Sequence, residues 1–289
     1  MESADLRIFQ SVAREGSISK AAAKLGYVQS NVTARIQQLE AELGTVLFIR
    51  HNRGVTLSSS GKMLLAYADK IVGLLDEATK AVAASDEPNG PLTIGSTQTA
   101  AAVRLPGLLA AYYERHPKVL LSLTTGHTDF LTENVLHYEL DGAFIGADID
   151  HPELRSIPAF VEELAIVSAA SVSGMEEAMT KPILVFTSGC SYRNVLEKWL
   201  QASGLTNPVI MEFGMLEAIV GGVRAGLGIS LMPKAVIGKQ AAEGAIRMHD
   251  IPESYRHIRT NFIMRKDGYV SSALRAFLNM LPEAAAQTT

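Results

Sequence analysis

Four short polar residues, Gln29, Ser30, Asn31 and Thr33, open a stretch whose apolar positions Val32, Ile36, Leu39 and Leu43 step by four, three and four. That spacing marks one face of a helix stopping at Gly44, which leaves the polar set on the other side. Glutamine and asparagine can bond adenine through two atoms at once, and a hydroxyl can meet a base edge or a phosphate. Arg35 lies on the exposed side of the same helix, within reach of a base or phosphate. Arg50 and Arg53, with His51 and Gly54, sit in the short β-rich segment that follows, where they would meet nucleic-acid backbone or minor groove. On an arbitrary helix such residues are only a solvated face. The surrounding elements must decide.

A second kind of chemistry is offered by two strand-to-helix turns, Gly95-Ser96-Thr97-Gln98-Thr99 and Thr187-Ser188-Gly189-Cys190-Ser191. Unpaired N–H groups and hydroxyls at a helix start favour an anion. Such residues also serve as plain helix caps. If the two turns face each other, both address one cleft. Arg104 and Arg193 lie nearby and could pair with a carboxylate or with surface acids. Cys190, the one cysteine, sits where a thiol pKa can fall, but the chain holds no second cysteine to resolve an oxidised one. The expectation is therefore a packing residue. The seven histidines lack metal-ligand spacing, and neither G-x-G-x-x-G nor G-x-S-x-G occurs. No catalytic residue, metal or cofactor is expected.

The elements that must position these groups can be read from spacing. Leu6, Phe9 and Ala13 mark a first helix, broken by Gly16-Ser17. Ser17 is placed to cap a short helix carrying Ile18, Ala22 and Leu25, which Gly26 closes. Together with the Val32–Leu43 helix this is a helix-turn-helix, and Val46–Leu57 reads as a two-stranded wing with a basic tip. Given that frame, the polar helix face is expected to read DNA. Leu64, Ala68, Ile71, Leu75, Ala78 and Val82 then form a heptad seam on a long helix, expected to pair with a second copy of itself. Ser85–Pro91 is a linker by composition. Beyond it, short apolar runs alternate with helical patterns, an α/β texture expected to be mostly parallel and to fold into two lobes.

At 289 residues the chain suits two or three domains, and its 47% hydrophobic and 19% charged composition argues against global disorder. No run approaches the ~20 apolar residues of a spanning helix, and MESADLRIFQ has no basic-then-apolar pattern, so the expected place is the cytoplasm, away from membrane. Up to Lys62 the charge is +3 and the remainder carries −7, a basic head on an acidic body. The expected domains are residues 1–61, 62–90 and 91–289.

The stretches 6–9, 16–22, 29–40, 42–44, 47–50 and 57–61, at their mutual spacing, resemble the amino-terminal half of LysR-type transcriptional regulators. Leu92–Gly95, His116-Pro117, Leu140–Ala143 and Gly222–Pro233 are similar to that family's effector domain. Thr33 and Ser58 stand where the family more often has serine and threonine, and Val28 replaces a usual hydroxyl. The resemblance implies a winged helix-turn-helix, a dimerising linker helix and a two-lobed α/β effector-binding domain like that of periplasmic binding proteins. It implies dimers that pair into homotetramers, bend double-stranded operator DNA and contact RNA polymerase under control of a small acidic effector. It also lends weight to Ser96, Thr97, Thr99, Ser188 and Ser191 as effector contacts, and less to Gly126-His127, Ile145-Gly146 and Phe213-Gly214. The rivals are a regulator of the same fold sensing a redox or neutral signal, and a solute-binding protein, which would leave the first 90 residues unexplained.

Overall fold

The computed structural model describes residues 1–82, 87–187, 189–204 and 208–281. The expected linker residues Ser85 and Asp86, and Ser188, lie outside the described residues. Contacts divide the chain into two units, residues 1–84 with 137–139, and residues 85–136 with 140–289.

In the first unit, α1 (Ser3–Glu15), α2 (Ile18–Leu25) and α3 (Gln29–Leu43) are followed by the hairpin β1 (Phe48–His51) and β2 (Gly54–Leu57), then by α4 (Ser59–Val82). Ser17 caps α2 by accepting from the Lys20 N–H. Phe9, Val12, Ala21, Val32, Ile36, Leu39, Phe48 and Ala68 fill the core. The wing is tied to the helices by two backbone features. Glu40 Oε1 accepts from the N–H groups of Leu47 and Phe48 at 2.7 and 3.2 Å. Val55 donates to Gly16 O at 2.9 Å, and a Cβ at Gly54, where φ is +136°, would lie 2.3 Å from that same oxygen. Only glycine permits this approach. Helix α4 is fastened to α1 through Asp69, 2% exposed, which accepts from Gln10 and Arg14 at 2.6 and 2.9 Å.

The second unit runs β3 (Gly90–Ser96), α5 (Gln98–Val103), α6 (Leu105–Arg115), β4 (Val119–Thr125), α7 (Thr128–Leu136), β5 (Gly142–Ile145) and β6 (Leu154–Ala169). It continues through α8 (Met175–Ala178), β7 (Ile183–Phe186), α9 (Ser191–Ala202), β8 (Ile210–Phe213), α10 (Leu216–Arg224) and β9 (Ser230–Pro233). Last come α11 (Lys234–Ala242), β10 (Ile246–His249), α12 (Glu253–Arg256), β11 (His257–Arg265) and α13 (Ser272–Leu278). The main sheet has the order β10-β6-β11-β5-β3-β4, with β9 also on β6, while β7 and β8 pair separately.

This corrects the expectation of a mostly parallel arrangement. Pairs β3–β4, β3–β5 and β7–β8 are parallel, but β6 pairs antiparallel with β9, β10 and β11, and β11 antiparallel with β5. The cause is one 16-residue strand, β6, whose first half carries exposed Arg155, Ser156 and Val161 and so lacks the continuous apolar run of its second half. Around its first half lies one core, with Leu92, Ile94, Tyr112, Phe144, Phe262 and Phe277. Around its second half lies another, with Leu164, Ile166, Ile183, Trp199 and Leu231. These are the two lobes.

In the second lobe His249, 7% exposed, hydrogen-bonds Ser168 Oγ at 2.8 Å. Burial, and then Arg247, push its imidazole below the ordinary value near 6.5. The folded state therefore prefers neutral His249, a contribution present above about pH 6.5 and lost as pH falls through the lower folded value. Urea unfolding of the full chain should show a falling midpoint from pH 7 to pH 5, and His249→Gln should flatten that slope. An equally steep slope in the variant would assign the loss to other groups.

Candidate nucleic-acid interface and ligand cavity

Helix α3 buries Val32, Ile36 and Leu39 at 0–1% exposure, so at 100° per residue its far side is the line Ser30, Ala34 and Gln37. All three are exposed, as are Gln29 and Asn31 beside them. The Gln29 side chain is oriented by Ser19, whose hydroxyl donates to Gln29 Oε1 at 3.0 Å. Thr33 is half-buried and its hydroxyl donates to Gln29 O within the helix at 2.9 Å. Arg35 is placed otherwise than the sequence suggests. It turns to α1, where Nη1 meets Asp5 Oδ1 at 2.8 Å, and Asp5 is 5% exposed. Arg50 and Arg53 are exposed on the wing. Ala34 and Gln37 were not singled out from the sequence, although the helical phase of the buried face points to both.

On α4 the heptad seam is divided between two environments. Ala68 is fully buried in the core of its own winged unit, and Leu64 packs half-buried beside it. Ile71, Leu75, Ala78 and Val82 are exposed, and so are Met63, Tyr67 and Leu74. The solvent-facing apolar stripe is thus rotated from the expected seam by less than half a residue step, towards Met63, Tyr67 and Leu74.

In the second unit a cavity of about 150 Å³ lies where the starts of α5, α7 and α9 converge. Thr97, Gln98 and Thr99 line one side, Gly126, His127 and Thr128 a second, and Thr187, Cys190, Ser191 and Tyr192 a third, with Gly146, Phe186 and Gly214 completing the wall. Hydroxyls face each other across it. Thr99 Oγ1 lies 2.9 Å from Tyr192 OH, and Thr128 Oγ1 lies 3.1 Å from Ser191 Oγ. The buried Thr97 hydroxyl has no partner among the described residues. Neither nearby arginine lines the cavity: Arg104 grips buried Glu162 through Nε and Nη2 at 2.8 and 2.9 Å, and Arg193 bonds Glu197 and Glu212. Burial pushes the half-buried Cys190 thiol up, against a smaller opposite pull from the Arg193 and Tyr192 N–H groups. A thiol so shifted is a poor nucleophile at neutral pH, which counts against a redox role.

The structure therefore brings together Thr97, Thr99, His127 and Ser191. It does not bring in Ser96, which is fully buried and donates to Thr97 O at 3.0 Å. Ile145 lies in the core with Leu131 and Val135, and Phe213 packs on the core around Val167 and Leu184, each one residue before a lining glycine. Strand alternation explains both: of the expected pairs Ile145-Gly146 and Phe213-Gly214, the glycine faces the cavity and the apolar residue the core. Gln98, Thr128, Phe186 and Tyr192 are lining residues that strand-to-helix reasoning passed over.

A helix-turn-helix with a wing, followed by a two-lobed α/β unit with a polar cavity, is the architecture of a DNA-binding regulator with an effector-binding domain. The comparisons agree. Residues 3–62 match the family described as bacterial regulatory helix-turn-helix protein, lysR family, and residues 85–286 match the LysR substrate binding domain. The chain is 69% identical to the HTH-type transcriptional regulator YusT of Bacillus subtilis, over 96% of this chain and 95% of that protein. It is 50% identical to the HTH-type transcriptional regulator GltR of the same organism, over 94% of this chain and 93% of that one. Among solved structures, full-length OxyR from Pseudomonas aeruginosa superposes with a TM-score of 0.72 at 21% identity, covering 97% of this chain and 94% of that one. CbnR complexed with its target DNA gives 0.69 at 23% identity, covering 99% and 100%. The chain belongs to the LysR family of bacterial transcriptional regulators.

The Arg35 geometry carries its own consequence. Arg35→Ala removes the cation beside the buried Asp5 carboxylate, which keeps the Glu2 N–H at 2.9 Å, while the pair's 40% exposed arginine is partly screened by water. Urea unfolding should show a loss of about 1 kcal/mol that shrinks towards zero in an Asp5→Asn background. An unchanged midpoint in Arg35→Ala would show that the pair contributes nothing and leave the side chain free for DNA.

Proposed function

We propose that this regulator reads a double-stranded operator with the start of α3 and changes its grip on that DNA when a small acidic metabolite occupies the α/β cavity. Gln29, Ser30, Asn31 and Thr33 enter the major groove, and Arg50 and Arg53 meet phosphates from the wing. The exposed α4 stripe, Met63, Tyr67, Ile71, Leu74, Leu75, Ala78 and Val82, packs on a second copy, joining two heads for two half-sites. Dimers pair into a homotetramer that bends the operator and alters contact with RNA polymerase. The protein works in the cytoplasm and catalyses no reaction, with residues 1–61 as DNA-binding domain, 62–90 as dimerising helix and hinge, and 91–289 as effector domain.

The observation carrying the effector reading is the convergence of three helix starts on one hydroxyl-rich cavity, with the Thr97 hydroxyl unpartnered among the described residues. Its size suits a compact guest, since a cavity of about 150 Å³ in another protein holds benzene. No lysine or arginine is among the lining residues, so a single carboxylate, met by hydroxyls and the first turn of α9, fits better than a multiply charged acid.

Two measurements test this. On a duplex selected from a random library, affinity should fall at least tenfold from 50 to 200 mM salt, as phosphate contacts require, and Asn31→Ala should lose about tenfold without a change in unfolding midpoint. A flat salt response would sink the DNA reading. In a thermal-shift screen, a small monocarboxylate at 100 times its dissociation constant should add about 2.7 kcal/mol. Thr97→Val should abolish that gain and Ser96→Ala should keep it. A gain from the uncharged amide analogue instead would make the signal neutral.

A further inference from the structure

Gln98 makes a contact unlike any other at the cavity. Its Nε2 donates to Gly214 O at 2.9 Å, and its Oε1 accepts from the Leu216 N–H at 2.8 Å. Gln98 belongs to α5, which joins α6 on the first lobe, whereas Gly214 and Leu216 lead from β8 into α10 on the second. One side-chain amide is thus satisfied at both ends by backbone of the opposite lobe, 116 and 118 residues along the chain. The Thr99–Tyr192 and Thr128–Ser191 pairs also cross the cleft, but each is a single hydroxyl contact that water or a guest's oxygen can replace. The two-point amide bond cannot be copied so simply, because it needs a donor and an acceptor fixed side by side.

We propose that Gln98 is a clasp that holds the two lobes together across the cleft and so governs how readily an effector enters. It is a positioning residue: the guest need not touch it, but the cavity walls cannot part while it is engaged. The proposal rests on reading this cavity as the effector site, yet its test needs neither effector nor DNA, so either can fail without the other.

The protein supplies its own probe. Cys190 is the sole cysteine and lines the cavity half-buried, so its alkylation rate reports how often the cleft opens. The full chain would be treated with iodoacetamide at fixed pH, as wild type, Gln98→Ala and Gln98→Glu, with the unfolding midpoint of each measured alongside. Gln98→Glu retains an acceptor for the Leu216 N–H but loses the donor to Gly214 O. Loss of bonds worth about a factor of ten should raise Cys190 alkylation about tenfold in both variants, with the midpoints close to wild type. Unchanged rates in both would overturn the clasp. So would a rise in Gln98→Ala alone, because Gln98 would then serve only to cap α10. If Gln98→Ala unfolds, the Gln98→Glu rate decides by itself.

Discussion

The effector unit depends on the antiparallel ladder between β6 and β11, which contributes to both lobe cores. Register runs from His257 opposite Glu163 to Arg265 opposite Leu154, long enough to serve one lobe at each end. It is interrupted once, between Thr260 and Asn261, where Asn261 stands opposite Pro158 and Thr260 opposite Phe160, leaving Ala159 as the extra residue of a bulge. Pro158 has no N–H to donate, so the ladder is weakest where one core gives way to the other. Asn261 Nδ2 anchors the spot by donating to Ala147 O and Asp148 Oδ1 at 2.9 and 2.8 Å. Everything at the cavity follows from this, because α5 and α7 hang on one side of the bulge and α9 and α10 on the other.

How far this was legible in the sequence differed by unit, for a physical reason. In the first 60 residues the signals are local. Ser17 caps within three residues, Gly16, Gly26 and Gly44 each end a helix with positive φ, and the apolar steps of α3 give its buried face directly. In the effector unit, β5 and β7 coincide with apolar runs because they are buried in a sheet, while the first half of β6 and the alternating Ile246–His249 strand carry no such run. At the cavity, Thr97, Thr99 and Ser191 were findable as hydroxyls at strand-to-helix turns. Tyr192, an aromatic inside the first turn of α9, and Gln98, an amide in a turn marked out by its neighbouring hydroxyls, gave no such signal, and their roles show only in the contacts to Thr99 and Leu216.

Helix α4 shows how one periodicity can span two faces: of the heptad seam, Ala68 is buried and Ile71, Leu75, Ala78 and Val82 are exposed. Its heptad seam is real, but an amphipathic helix of 24 residues here serves two clients. Ala68 and Val72 go to the core of their own winged unit, fixed there by the buried Asp69, and the exposed apolar residues begin on the neighbouring line at Met63 and Tyr67. Spacing alone cannot separate two stripes about one residue step apart. Recognition of the same kind explains Arg35, which a face drawn around Val32 and Ile36 leaves outside, and which a buried acid on α1 claims instead.

A cavity lined by hydroxyls rather than cations has a bearing on how such a switch can work. A ligand moves an equilibrium only by its difference in affinity for the two states, and a shift from 1:99 to 99:1 needs about 5.5 kcal/mol of it. A guest that replaces the Thr99–Tyr192 or Thr128–Ser191 contact exchanges one neutral hydrogen bond for another, which leaves little net gain per contact. On the proposed reading the larger differential would come from a group such as the buried Thr97 hydroxyl, which has no partner among the described residues. If the cavity is the effector site proposed above, several modest terms rather than one strong ion pair suit it to a graded bias, and a sharp response would have to come from coupling several copies on one operator.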